Sequence, residues 1–302
     1  MTSLLLLALL ASCEQDFFPE LEEAEPQIVV DAWINNKPEA QTVRLTYTQS
    51  YFDAVTPEGV INASVYIVDN DNNRFDFIEK GTEGVYEWTP SVAQPAFGEI
   101  GKDYNLLIET DGNTFTSSSK MNRVAEIDSI RFRLEVGNSF FPTSYFAEFF
   151  ARDNEGHGDT YWIKAWKNGQ FLNKPNEINI AFDAGFTAGG NVDGIYFIQP
   201  IRDAINPLDT DENDEFISPY SPGDSVYVEV HSINYETFIY LNELQTQIDR
   251  PGGFAELFAV PLSNVPTNIV NTNPEGPAAV GFFNVSAVSS DGKTLDPANL
   301  PQ

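Results

Sequence analysis

Few side chains in this sequence could do chemistry, and their spacing narrows them further. Only two histidines occur in 302 residues, His157 and His231. Asp153, Glu155, His157 and Asp159 alternate within one short stretch that also holds Gly156 and Gly158. That stretch could hold a metal or another ligand, or be a loop between two strands. Asp209, Asp211, Asn213 and Glu215 alternate as oxygen donors, as the opening of a calcium-binding loop does. The pattern then breaks, because Asp214 stands where such a loop needs glycine and Tyr220 where it needs glutamate. Calcium is the one cofactor this alternation admits, beside the plainer reading of a solvated acidic loop. Trp162 and Trp166 lie four apart with Lys164 between them, so a strand would place all three on one face. If Ile163 faces the core, the tryptophans form a surface suited to recognising a ligand or partner, a sugar ring among them. If the tryptophans are core, Lys164 is the anomaly. The parity stays open in the sequence.

No catalytic motif accompanies these residues. The chain has no G-x-S-x-G elbow, no H-E-x-x-H pair, no glycine-rich phosphate loop and no dinucleotide fingerprint. Paired carboxylates can hydrolyse glycosides, but among 45 acids no pair stands out. The expectation is therefore a protein that binds and does not catalyse, with no catalytic residue to name. His231 reads as a packing or hydrogen-bonding residue at a strand end. A hydrolase using carboxylates or calcium is the minor alternative.

Charge excludes further classes. Lys and Arg total 16 against 45 Asp and Glu, a net charge of −29. Such a surface repels phosphate backbones, so nucleic acid is not an expected partner. It offers no polybasic patch for anionic lipid either. With one cysteine there is no internal disulfide and no cysteine-based zinc site.

That cysteine closes the segment Leu10-Ala11-Ser12-Cys13, after the apolar run Leu4–Leu10. The run is far too short to span a bilayer, which takes about 20 residues. It fits the core of a signal peptide, although Met1-Thr2-Ser3 carries no basic residue. A leucine, two small residues and cysteine form the pattern of a lipobox. Residues 1–12 are thus expected to be a lipoprotein signal peptide and Cys13 the lipidated residue, joined to a membrane through its lipid. Residues 13–26 carry six acids and two prolines and read as a solvated tether. The stretch Glu14–Glu20 resembles the acidic signals that send Bacteroidota lipoproteins to the outer face of the outer membrane.

From Gln27 the elements that must position the candidate residues are mostly strands. Ile28–Ile34, Val43–Tyr47, Val65–Val68, Phe75–Ile78, Val85–Trp88, Tyr104–Glu109 and Thr114–Thr116 are short, β-rich and separated by turn residues. Asp111-Gly112 is a strong hairpin signal. A β-sandwich over 27–120 follows, of immunoglobulin-like or transthyretin-like kind, with Trp33 and Trp88 in its core. A second β-rich domain is expected over 125–290. Its strands are Ile127–Val136, Ser144–Ala151, Tyr161–Trp166, Phe171-Leu172, Ile178–Phe182, Ile195–Ile198, Val226–His231 and, last, Val280–Val288. The aromatic segment Phe140–Phe150 is either core or a partner-binding patch. Tyr235, Phe238, Leu241, Leu244 and Ile248 recur at helical spacing, which predicts one packed helix over 235–248. Asn234 would cap it and Pro251-Gly252-Gly253 would stop it.

A series of short segments then carries a resemblance. Ile28-Val29-Val30-Asp31-Ala32-Trp33-Ile34, Val60-Ile61-Asn62-Ala63-Ser64-Val65, Gly84-Val85-Tyr86 and Gly101-Lys102-Asp103-Tyr104 come in order. Ile127-Asp128-Ser129-Ile130, Val228-Glu229-Val230-His231-Ser232-Ile233, Pro266-Thr267-Asn268-Ile269 and Val280-Gly281-Phe282-Phe283 follow. Together they resemble a Bacteroidota lipoprotein family known as a domain of unknown function, number forty-two forty-nine, over nearly the whole chain after Cys13. Phe282 departs from it, where tyrosine would be expected. The resemblance implies a lipoprotein often encoded beside TonB-dependent outer-membrane transporters. It implies no activity and no catalytic residues. The expected function is a surface-exposed, lipid-anchored binding or accessory subunit of such a transporter. A glycan-binding or adhesion module using Trp162 and Trp166 is the alternative.

Overall fold

The computed structural model describes residues 25–50, 55–138, 142–190, 192–213 and 215–300. The expected signal segment, Cys13, most of the acidic tether, Phe140, Phe141 and Asp214 lie outside the described residues.

Alternation becomes strand wherever one face can be buried. In β1 (Ile28–Asn35) Ile28, Val30, Ala32 and Ile34 point inward, while Val29, Asp31 and Trp33 point the other way. β2 (Gln41–Tyr47), β3 (Ser64–Asp69), β4 (Arg74–Glu79), β5 (Val85–Trp88), β6 (Asp103–Thr110) and β7 (Asn113–Lys120) follow the same rule. Asp111 and Gly112 both take positive φ, +48° and +73°, as the tight β6–β7 turn requires. The second half contributes β8 (Ile127–Glu135), β9 (Ser144–Ala151), β10 (Thr160–Lys167), β11 (Gln170–Phe171) and β12 (Asn179–Phe182). The short helix α1 (Gln199–Asp203), β13 (Ser225–Ile233) and the helix α2 (Tyr235–Ile248) come next, then β14 (Val270–Asn271), β15 (Ala279–Ser286) and β16 (Val288–Thr294). The protein is mainly β, as its sequence predicts.

The strands form a nine-stranded sheet, β14-β7-β6-β3-β4-β5-β2-β1-β15, a five-stranded sheet, β11-β10-β13-β16 with β12 also on β10, and the ribbon β8-β9. The large sheet curls into a sandwich-like layer pair whose two ends meet. There the Val285 amide of β15 donates to Ser119 Oγ of β7 at 2.9 Å. One continuous core runs from this layer pair into the inner faces of β8–β9, β10 and β13. Each large apolar side chain buried there contributes about 1.5–3 kcal/mol.

Four expectations need correction. The second unit does not close at 290 as a separate body, because β14 and β15 join the first sheet, with β15 parallel to β1 over eight residue pairs. Val280–Val288 is not the last strand: the chain changes sheet at the buried Ala287, and the polar β16 pairs with β13. Ile195–Ile198 makes only an isolated bridge, between Tyr196 and Arg152. The helix has the expected bounds, but Asn234 does not cap it with its side chain. Its Nδ2 donates instead to Ser119 Oγ at 2.7 Å, tying the helix start to the first sheet. Among the described residues no helix is long and apolar enough to cross a membrane.

Candidate functional site

The β10–β13 ladder settles the parity of the two tryptophans. Tyr161, Ile163 and Ala165 enter the core, and Trp162, Lys164 and Trp166 share the opposite face. There they lie against His231, Glu229 and Tyr227 of β13, each directly across. This face is not open along its length. The Trp33 ring meets Trp162 edge-on, with centroids 5.0 Å apart. Ile233, Phe238 and Leu241 complete an apolar cluster around that pair. Trp162 therefore joins β1, β10 and α2, and Trp33 packs there instead of in the first core. Trp166 lies further along, beside Phe171 at 4.9 Å and Tyr227 at 5.5 Å.

Between the tryptophans, charge is held at depth. Glu229 Oε1 accepts from Lys37 Nζ at 2.6 Å and from Tyr227 OH at 3.1 Å, and Oε2 pairs with His231 Nε2 at 2.8 Å. Burial alone would raise the Glu229 carboxyl, but the hydrogen bonds and charges of His231 and Lys37 override it and hold it down at about 2. Burial, reinforced by Lys164, pushes His231 down to about 4 against the pull of Glu229. At neutral pH the pair is thus a neutral imidazole donating to a carboxylate. Lys164 has its ammonium 3.9 Å over the Trp162 ring, and no hydrogen bond or ion pair reaches it among the described residues. The side chain keeps some contact with water, yet protein crowds it on nearly all sides. Burial pushes its amine down to about 8, although Glu229 and Asp31 favour the charge.

The acidic loops divide differently from their spacing. Asp209 pairs with Lys174, and Asp211 Oδ1 accepts the amides of Asn213 (2.8 Å) and Glu215 (2.9 Å) in its own turn. Asp209, Asp211, Asn213 and Glu215 thus form a hairpin end, and the structure does not gather them into a calcium cage. Asp153 is buried under Tyr161 OH at 2.6 Å, and Asp159 is clasped by Arg123 at 2.6–3.1 Å. Asp153 Oδ2 also accepts the Gly194 amide at 3.1 Å, and the His157 ring turns to another loop, toward Asp183.

A further feature was not legible in the pattern. After α2, a 3-10 turn, Gly253–Phe258, lifts Phe254 and Phe258 out of the surface, 77% and 78% exposed. Their rings meet edge-on at 5.6 Å. Val260 and Leu262 extend the exposed apolar ridge. The ridge is fastened to the helix end. Arg250 pairs with Glu256 and donates to the Val260 carbonyl at 2.5 Å, and Gln247 Oε1 accepts the Ser263 amide at 2.9 Å. Beside it runs a groove of about 450 Å³ between the last turn of α2, Phe258 and Val260. Pro251-Gly252-Gly253 reads as a stop, and nothing local in the sequence says that the phenylalanines beyond it stay outside.

These features define a mainly β protein with a sandwich-like first layer pair, a charged and aromatic face between sheets, and an apolar ridge. Residues 14–291 match the family described as a domain of unknown function (DUF4249). The chain belongs to that family. No curated protein matches it.

Proposed function

We propose that the chain is a non-enzymatic, lipid-anchored docking subunit on the outer membrane that works with a TonB-dependent transporter. The apolar ridge carries this reading. Neighbouring large apolar side chains this exposed mark a surface that meets something, and Phe254 and Phe258 stand out from a strongly acidic chain. The lipobox at Cys13 motivates the anchor, and the acidic Glu14–Glu20 segment the outer face. The transporter comes from what the family resemblance implies. A catalytic cleft has less in its favour: across the cleft beside Phe146, Glu135 and Asp203 are already bridged by Arg133 at 2.8 and 3.3 Å. The glycan alternative needs two open tryptophans, and Trp162 is closed over by Trp33.

Detergent extraction of outer membranes, followed by capture of the tagged full chain, tests the reading. A TonB-dependent transporter should co-purify with the wild type. Phe254→Ser with Phe258→Ser should abolish that recovery without changing the thermal midpoint, since both rings lie outside the core. Recovery of no transporter by the wild type, or equal recovery by the double variant, would sink the proposal.

A further inference from the structure

We propose that His157, Asp183 and Asp193 form a site for one divalent metal ion of the zinc class. They come from separate loops: the β9–β10 connection, the turn after β12 and the segment before Tyr196. One ligand atom from each lies within 4.8 Å of the other two. That is at most slightly wider than the span of about 4 Å open to donors about 2 Å from a shared ion.

Hydrogen bonds hold the carboxylates in place, as they do for metal ligands. Asp183 Oδ1 accepts the amides of Gly158 (2.8 Å) and Asp159 (3.0 Å), and Asp193 Oδ1 accepts that of Gly156 (2.9 Å). Each keeps a second oxygen. Asp183 is only 2% exposed, and its Oδ2 meets the His157 imidazole at 3.4 Å. Among the described residues no Lys or Arg makes an ion pair with either carboxylate; the nearby Arg123 is taken by Asp159 and the Gly156 carbonyl. Burying a carboxylate without a cation costs several kcal/mol, and a divalent ion would offset it.

The imidazole sets the class. Calcium and magnesium take oxygen ligands, whereas an imidazole with carboxylates suits zinc and its first-row neighbours. Three protein donors leave at least one position for water. The competing reading of the same geometry is a protonated His157 paired with Asp183, which predicts no response to metal.

Titration of the full chain with zinc chloride, followed by calorimetry and thermal unfolding, separates the two. A Cys13→Ser chain run in parallel removes the one thiol, and His231 is too buried to ligate. The expected result is one zinc per chain, a raised midpoint, weaker binding on acidification, and no matching response to calcium. His157→Ala and Asp193→Asn should each weaken binding at least tenfold. Neither side chain is in the core, so circular dichroism should report an intact fold in both. Absence of saturable one-to-one binding, an equal response to calcium, or unchanged affinity in either variant would overturn the site.

Discussion

Lys164 holds an ammonium where β1, β10 and α2 close over Trp162. The Trp162 ring beneath the charge returns part of the lost hydration, about 0.5–2 kcal/mol. The downward displacement of its amine to about 8 says the return is incomplete. Its pKa is lower folded than unfolded, so the penalty is fully present below about 8. It is relieved as pH rises toward the ordinary 10.5, because the unfolded chain then binds more protons than the native one. Lys164→Met keeps the stem and removes the charge. It should stabilise the fold by about 1–3 kcal/mol at pH 7, and the advantage should fade between pH 8 and 10.5. Urea unfolding of both proteins across that range measures it. A gain that stays constant with pH would mean that packing, not desolvation, is responsible. The sequence reached this far in part: it tied Lys164 to the parity of Trp162 and Trp166. It could not choose, because Trp162 and Ile163 both pack in apolar surroundings, one half-buried beside a helix and one in the core.

At the scale of elements, one glycine governs how the chain returns to its first strand. Gly281 lies opposite Val30 in the parallel β1–β15 pair with φ +96°. A Cβ there would meet the Val30 carbonyl oxygen at 2.0 Å and its amide nitrogen at 2.7 Å. Both atoms are backbone of a central strand and cannot step aside. Gly281→Ala should therefore cost about 3 kcal/mol, combining backbone strain with lost ladder hydrogen bonds. Gly112→Ala is the matched control, with φ +73° but nothing within 4 Å of the new atom, and should cost about 1 kcal/mol. Equal losses in thermal unfolding would refute close approach as the cause. Elements of this kind separate what a sequence displays from what it hides. β5, β9 and α2 were legible to the residue, because each carries a complete apolar period and clear flanking turns. β16 was not, since Val288–Thr294 is nearly all polar and is a strand only because β13 lies beside it. The ridge was hidden for the converse reason: Phe254 and Phe258 look like core residues, and only the fold leaves them outside. The metal triad was half visible, through His157, while Asp183 and Asp193 reach it by tertiary approach alone.

The whole molecule depends on that same return. Residues 270–294 supply β14 and β15 to the large sheet and β16 to the smaller one, with only Ala287 between β15 and β16. At this crossing Ser232 and Ala287 exchange two hydrogen bonds of 2.9 Å. The buried Phe282, Phe283, Val285 and Leu295 together stand for about 6–12 kcal/mol of apolar burial. That is comparable with the entire stability of an ordinary domain, about 5–15 kcal/mol. Neither sheet can then be independent of the other. Denaturant unfolding followed by tryptophan fluorescence and by far-ultraviolet circular dichroism should give one coincident transition. A chain ending at residue 265 should show no cooperative transition, and it should aggregate, because removing β15 bares the edge of β1 along its length. A truncated chain that still unfolds sigmoidally near the wild-type midpoint would refute this. It would return the molecule to two autonomous domains, the arrangement that local sequence pattern alone suggests. If the coupling holds, the ridge beyond α2 and the loops around His157 sit on one framework, and a partner or a metal bound at either should raise a single midpoint rather than one of two.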